Sequence, residues 1–319
     1  MRLLLSRMEG GAISSGVEAS AALTRLPTMR VSALLAAFTA AAVLVKATPA
    51  PILPQRAIST TLYDEFVLYT KYSSAAYLLF CKRPLGKTLI QDFEFGRTQG
   101  FVVRDDEREE IVVAFRGTFS LKDAVADAKI VLLPFISPGI AELINIDVHR
   151  GFLNAYNDVA EDILAAAVGE HHRYPHYRIV VTGHSLGGAI ASLAAPSLKT
   201  ALPHAHLKLF TFGQPRVGNA HYARYVEELI GAENIFRVVH TLDGVPTMVP
   251  RVWSYEHFAT EYWQYKEPIP FITKPHETIK RCVGREDPEC SASILSTGIN
   301  PPHTVYFGQL MAANPLLCH

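Results

Sequence analysis

Three short stretches, 177–182, 207–212 and 234–241, are crowded with branched and aromatic side chains and bounded by Gly, Pro or Asp. Continuous apolar runs of this length belong to strands covered on both faces. Helical spacing fills the intervals between them, which predicts a β-α-β succession and a sheet with a parallel centre. Upstream, "GFVVRDD" and "EEIVVAFRGT" flank a charged turn as the arms of a hairpin do. The apolar spacing of "TTLYDEFVLYTKYSSAAYLLFC" predicts a first helix, with Asp64 and Glu65 early, where the helix dipole favours them. "GFLNAYNDVAEDILAAAVGEHH" predicts one continuous helix, closed before Pro175.

The stretch "VVTGHSLGGAIASLAA" carries the chemistry. A strand ending near Gly183 and a helix starting near Leu186 leave Ser185 on a very tight turn. Such a turn strains the serine backbone and crowds its neighbours, so Gly183 and Gly187 stand where a side chain would collide. It lifts the hydroxyl above the sheet edge and aims the Leu186 amide at an oxyanion forming on an attacked carbonyl.

A serine hydroxyl needs a base, and the base needs an orienting carboxylate. Only two aspartates follow Ser185. Asp243 comes after an apolar strand and before Gly244-Val245-Pro246, at a strand's C-terminal end, where the active sites of open sheets gather. Asp287 lies in a charged loop and reads as solvated. Of the later histidines, His303 stands between Pro301-Pro302 and an apolar segment, a stiff platform for a base. His257 and His276 read as solvated loop residues, and His319 is the C-terminal residue.

The chain has 319 residues, 49% apolar and 19% charged, with a formal net charge of zero. This length suits one sizeable core, and the balance offers no field for nucleic acid. From Met29 a basic residue, an apolar run to Val45 too short to span a bilayer, and small residues before a Pro-rich stretch describe an export signal, with a surface helix or membrane anchor as the alternative. The expected organisation is an N-terminal extension and signal over 1–47 (core 29–47), a linker over 48–60 and a catalytic domain over 61–319. Residues 1–28 fit a chain whose true start is Met29. Without the first 47 residues the chain keeps 25 basic and 28 acidic residues, so it turns slightly acidic.

Four cysteines allow three pairings. Cys282 with Cys290, close in one polar loop, and Cys81 with Cys318, near the two ends of the domain, are favoured; free buried thiols are the alternative if the chain is not exported. No Cys/His cluster suggests a metal.

Taken in order, "KYSSAAY", "AFRGTFS", "HRGF", "VTGHSLGGAIA", "TFGQPRVGN", "VVHTLDGVP", "EYW" and "HTVYFG" resemble the class 3 lipase family of secreted fungal hydrolases, which includes triacylglycerol lipases and a feruloyl esterase branch. The resemblance runs from about Thr60 to the C-terminus. It implies an α/β-hydrolase fold with a mixed, mostly parallel sheet flanked by helices and a short lid. It also implies Ser185 as nucleophile, Asp243 as orienting acid, His303 as general base, and Thr118 with Leu186 as the oxyanion hole. Tyr77 and His184 are expected to line the substrate site. Both favoured disulfides match bridges usual in the family. The reaction implied is two-step acyl transfer through an acyl-enzyme, with no cofactor.

By the same resemblance "SLKDAVADAK" is the lid, with Leu121 and Val125 on its apolar face. The next stretch, 130–146, is strongly apolar and reads as buried strand plus loop in preference to an exposed lipid-binding surface. Its apolar character favours lipid esters met at a lipid–water interface over the feruloyl esterase branch. A non-catalytic lipid carrier would carry a broken triad or a spoiled elbow, and the sequence has neither.

Overall fold

The computed structural model describes residues 57–96, 98–118, 130–140 and 144–319. All of these fall in one compact unit, Leu53–His319. The expected signal, most of the linker and the lid residues Leu121 and Val125 lie outside the described residues. Ala57 already bridges to Lys280 and Ile58 is buried, so the domain takes in residues before 61.

Helix α1 (Thr60–Ala75) opens on the side chain of Ser59, which accepts from the Leu62 amide. It stops earlier than the apolar spacing implied. The carbonyls of Ala76 and Leu78, released from helix pairing, both accept from the side-chain amide of Gln99, at 3.1 and 3.0 Å. The chain then enters β1 (Thr88–Phe95), β2 (Thr98–Asp105) and β3 (Glu110–Phe115). Strands β2 and β3 are the predicted hairpin, and the Asp105 carboxylate accepts from the Glu107 and Arg108 amides of its turn.

Residues 130–140 and 144–146 form strand and loop. Strand β4 (Leu132–Pro134) pairs antiparallel with β5 (Asp147–His149), Phe135 and Ile140 are buried, and Ile136 and Ile144 are exposed. The continuous helix predicted from residue 151 is instead two, α2 (Arg150–Asn157) and α3 (Ala160–Arg173). The break follows Asn157, whose side chain donates to the Ile136 carbonyl and accepts from the Ser137 hydroxyl. Those bonds tie it to the neighbouring loop.

The remaining elements are β6 (Arg178–His184), α4 (Leu186–Ala201), β7 (Leu207–Phe212), α5 (Ala220–Ile230), β8 (Ile235–His240), β9 (Glu261–Gln264), β10 (Ile279–Arg281) and the short pair β11 (Val305–Tyr306) and β12 (Gln309–Leu310). One eight-stranded sheet runs β1-β2-β3-β6-β7-β8-β9-β10. It is parallel from β3 to β9 and antiparallel at both edges. Alternation along β3 shows how both faces are covered. Ile111, Val113 and Phe115 pack with α2, α3 and α4 on one face, while Val112 and Ala114 pack with α1 on the other. Helix α4 is buried over its first thirteen residues, and its alanines let its backbone lie close on the strands.

Both expected disulfides are formed, Cys81–Cys318 and Cys282–Cys290. The first closes a loop of 237 residues, for which chain entropy sets a limit of about 5 kcal/mol of stabilisation.

His149 caps α2, its Nδ1 accepting from the amides of Gly151 and Phe152 at 3.1 and 3.4 Å. Burial first, and the Arg150 charge second, bring its pKa down from 6.5 to about 4. The folded protein thus resists a proton that the unfolded chain accepts. The contribution of His149 to stability is complete above pH 6.5 and is lost as the pH falls through 4. His149→Asn, which keeps a capping acceptor, is expected to flatten this acid-side decline. The flattening will be partial, because His184 and His257 are also held well below their ordinary values. Urea midpoints measured across this range check it, and an unaltered slope would contradict the assignment.

Candidate active site

Ser185 sits between β6 and α4 with φ 58° and ψ −124°, a left-handed conformation that a side chain tolerates poorly. Its amide donates to the Phe212 carbonyl at the end of β7, which fixes the turn to the sheet. A Cβ on Gly183 would lie 2.3 Å from the Gly187 carbonyl, and one on Gly187 would lie 2.3 Å from that of Phe115. Backbone contact of this closeness is what the two glycines permit.

Gly117 packs in the same way against the His184 carbonyl and the Ser185 Cβ, so the stretch carrying Thr118 lies beside the serine. The Leu186 amide is in the first turn of α4, where N–H groups have no partner within the helix. Both residues expected to bind an oxyanion therefore flank Ser185.

The Ser185 hydroxyl lies 2.9 Å from His303 Nε2, across 118 residues of sequence. His303 Nδ1 lies 2.9 and 3.0 Å from the two oxygens of Asp243. With an ionised carboxylate on that side, Nδ1 carries the proton and donates, leaving the Nε2 lone pair to accept from the serine. Asp243 follows β8, and His303 is held by a short turn that Asn300 caps through the His303 amide. The three side chains are brought together, and all three are buried.

Two further residues complete the arrangement. The Tyr306 hydroxyl donates to Asp243 Oδ2 at 2.5 Å, and the Val245 amide donates to Oδ1 at 2.9 Å. Burial, then the adjacent Asp243 carboxylate, push the Tyr306 phenol well above its ordinary pKa, so it remains a donor. Tyr306 was missed in the sequence, although it stands only three residues after His303 in "HTVYFG".

Both ring nitrogens of His184, a residue expected to line the substrate site, are used internally. Nε2 lies 2.8 Å from the His303 carbonyl and Nδ1 lies 2.7 Å from the Tyr77 hydroxyl. Burial, then the nearby His303, keep the ring neutral. Its single proton belongs on Nε2, facing the carbonyl, and Tyr77 donates to Nδ1. The pair thereby supports the backbone of His303. His240 does similar work from the other side, with Nδ1 2.8 Å from the Pro302 carbonyl.

His257 is buried, not solvated. Its Nε2 bonds the Pro246 carbonyl at 2.9 Å, and burial holds the ring neutral. Asp287 lies in the loop closed by Cys282–Cys290 and accepts from the amides of Val283 and Glu289, which outweigh its partial burial and lower its pKa. The cysteines beside Glu261 are joined to each other, so that grouping is not available as a thiolate metal site.

Fold and constellation together define an α/β-hydrolase, a carboxylic ester hydrolase. A family model described as "Lipase (class 3)" matches residues 112–253. The secreted mono- and diacylglycerol lipase 1 of Fusarium solani is 32% identical over 287 residues, covering 83% of this chain and 82% of that one. Among solved structures, the lipase of Rhizopus microsporus var. chinensis superposes with a TM-score of 0.70 at 30% identity, covering 81% of this chain and 91% of its own. The triacylglycerol lipase of Penicillium expansum gives 0.72 at 26% identity, covering 80% and 97%. The chain belongs to the class 3 lipase family.

Gly213, at φ 59°, approaches the site most closely. A Cβ there would lie 2.7 Å from Asp243 Oδ2, 2.8 Å from the Tyr306 hydroxyl and 2.9 Å from His303 Cε1. Gly213→Ala removes no reacting group, yet it is expected to lower kcat/KM by about 100-fold through misplacement of the imidazole. Ester turnover together with the thermal midpoint of the variant checks this; near-parental turnover would show that the site has room to adjust.

Proposed function

We propose that the protein is an exported acylglycerol lipase, hydrolysing lipid esters at a lipid–water surface through an acyl-enzyme on Ser185. The observation that carries the reading is the hydrogen-bonded line from the Ser185 hydroxyl through His303 to Asp243. As Ser185 attacks the ester carbonyl, its proton passes to His303 Nε2. The resulting imidazolium is stabilised by Asp243, which Tyr306 and Val245 hold in place. The Leu186 amide and Thr118 stabilise the oxyanion, and each such donor is worth about 3 kcal/mol in the transition state.

Collapse of the tetrahedral species expels the alcohol, which takes the proton from His303. Water, deprotonated by the same ring, then attacks the acyl-enzyme; the bond to Ser185 Oγ breaks, His303 returns the proton to that oxygen, and the acid is released.

Acylglycerol as substrate is supported by the printed names of the relatives, among them the Fusarium solani mono- and diacylglycerol lipase. Export is supported by the same name and by the signal-like segment ending near Ala47. No helix among the described residues is long and apolar enough to cross a membrane.

Ser185→Ala is expected to abolish hydrolysis of a short p-nitrophenyl ester in a folded protein. Asp243→Asn is expected to lower kcat by on the order of 10⁴-fold, since the amide holds the imidazole in the wrong tautomer. Emulsified triolein compared with methyl ferulate reads the substrate class. Turnover by Ser185→Ala would remove the nucleophile, and preference for ferulate would overturn the lipid reading.

A further inference from the structure

The loop between β9 and β10 gathers three large exposed apolar side chains within four residues. Ile269, Phe271 and Ile272 are 56%, 109% and 79% exposed, and Pro270 between them is exposed as well. The tip is an ordered turn. The amides of Ile272 and Thr273 donate to the Ile269 carbonyl, and the Ile269 amide donates to the Thr273 hydroxyl. Phe271 takes φ 63°, a left-handed conformation that a bulky residue rarely adopts, and this holds its ring away from the protein.

The base of the loop has a different character. Lys266 lies over the Tyr265 ring at 5.3 Å, Trp263 donates its indole N–H to the Thr241 carbonyl, and on the far side of the turn Lys274 lies 3.7 Å from the Glu277 carboxylate in an exposed pair. Strand β9 is parallel to β8, so the loop leaves the same edge of the sheet as Asp243. Glu267, at the start of the loop, bonds His240 Nε2 at 2.5 Å, and the other nitrogen of that ring holds Pro302 beside His303. Both nitrogens of His240 face oxygen atoms, and Lys266 has no carboxylate among its described contacts.

We propose that this tip is a docking element for a lipid surface bearing anionic headgroups, into which Ile269, Phe271 and Ile272 insert while Lys266 and Lys274 meet the negative charge. The inference rests on the lipase reading and supplies it with a point of attachment independent of the active-site serine. Three side chains cannot cover the roughly 1,200 Å² that a stable protein partner requires. A lipid surface requires only that a few apolar groups enter the headgroup boundary, with rings and lysine stems at its level. The Glu267–His240 link fixes the direction of the tip relative to His303, so that docking presents the catalytic edge of the sheet to the surface.

The test separates docking from turnover. In a Ser185→Ala background, co-sedimentation is measured with vesicles of equimolar phosphatidylcholine and phosphatidylglycerol and with phosphatidylcholine alone. The double variant Phe271→Ser/Ile272→Ser is expected to bind the mixed vesicles about 10-fold or more weakly. In the active background it should hydrolyse a soluble short-chain ester at the parental rate, which shows that it is folded, and lose activity on emulsified lipid. Parental vesicle binding by the double variant would overturn the proposal. Equal affinity of the parent for uncharged vesicles would overturn the choice of an anionic surface. Because binding is read without hydrolysis, a failure of the lipase reading and a failure of docking give different results.

Discussion

The left-handed turn at Ser185 is the constraint on which the rest of the structure depends. A non-glycine residue at that φ costs on the order of 1–3 kcal/mol unless its surroundings hold it. Here they do so by closeness. Gly183 lies against Gly187, Gly187 against the end of β3, and the serine amide is bonded to the end of β7. Three parallel strands and one buried helix thus meet at a single residue. The same packing brings Gly117 and Thr118 to the serine and points the open amides of α4 at it.

The other half of the site is held by hydrogen bonds in which each polar atom has a defined role. Asp243 is the acceptor for His303, Tyr306 and Val245. His303 is held at its ring by Asp243, at its carbonyl by His184 and at the preceding residue by His240. The two neighbouring imidazoles do not compete as bases, because their nitrogens are already engaged. A ring gripped on three sides can exchange protons with little reorganisation, which is the condition for electrostatic stabilisation in a buried site.

Much of this was legible in the chain. Strand β7 has the limits read from its apolar run, and the elbow follows from two glycines around a serine between a strand pattern and an alanine-rich helix. Strands β1, β9 and β10 were not recognised. In edge strand β1 an exposed face interrupts the apolar signal, "TLIQDFEF" having one buried residue in eight, while β9 and β10 are only four and three residues long. The break after Asn157 was not legible, and the hydrogen bonds that accompany it reach residues 136 and 137, some twenty positions away. His257 was misjudged for a similar reason. Its flanking sequence is polar, but the fold lays it against the Pro246 carbonyl.

The sequence by itself determined the candidate nucleophile and the class of sheet that carries it. Steric crowding at a tight turn and the burial of a strand are settled by residues within a few positions of one another. Tertiary structure alone decided how the catalytic base is held: that Tyr306 braces Asp243, that His184 turns inward to the His303 backbone, and that an apolar tip on the β9–β10 loop stands on the same edge as the site. These depend on sheet order and strand register, which bring together groups as far apart as the 118 residues between Ser185 and His303, and no local pattern specifies a contact over that span.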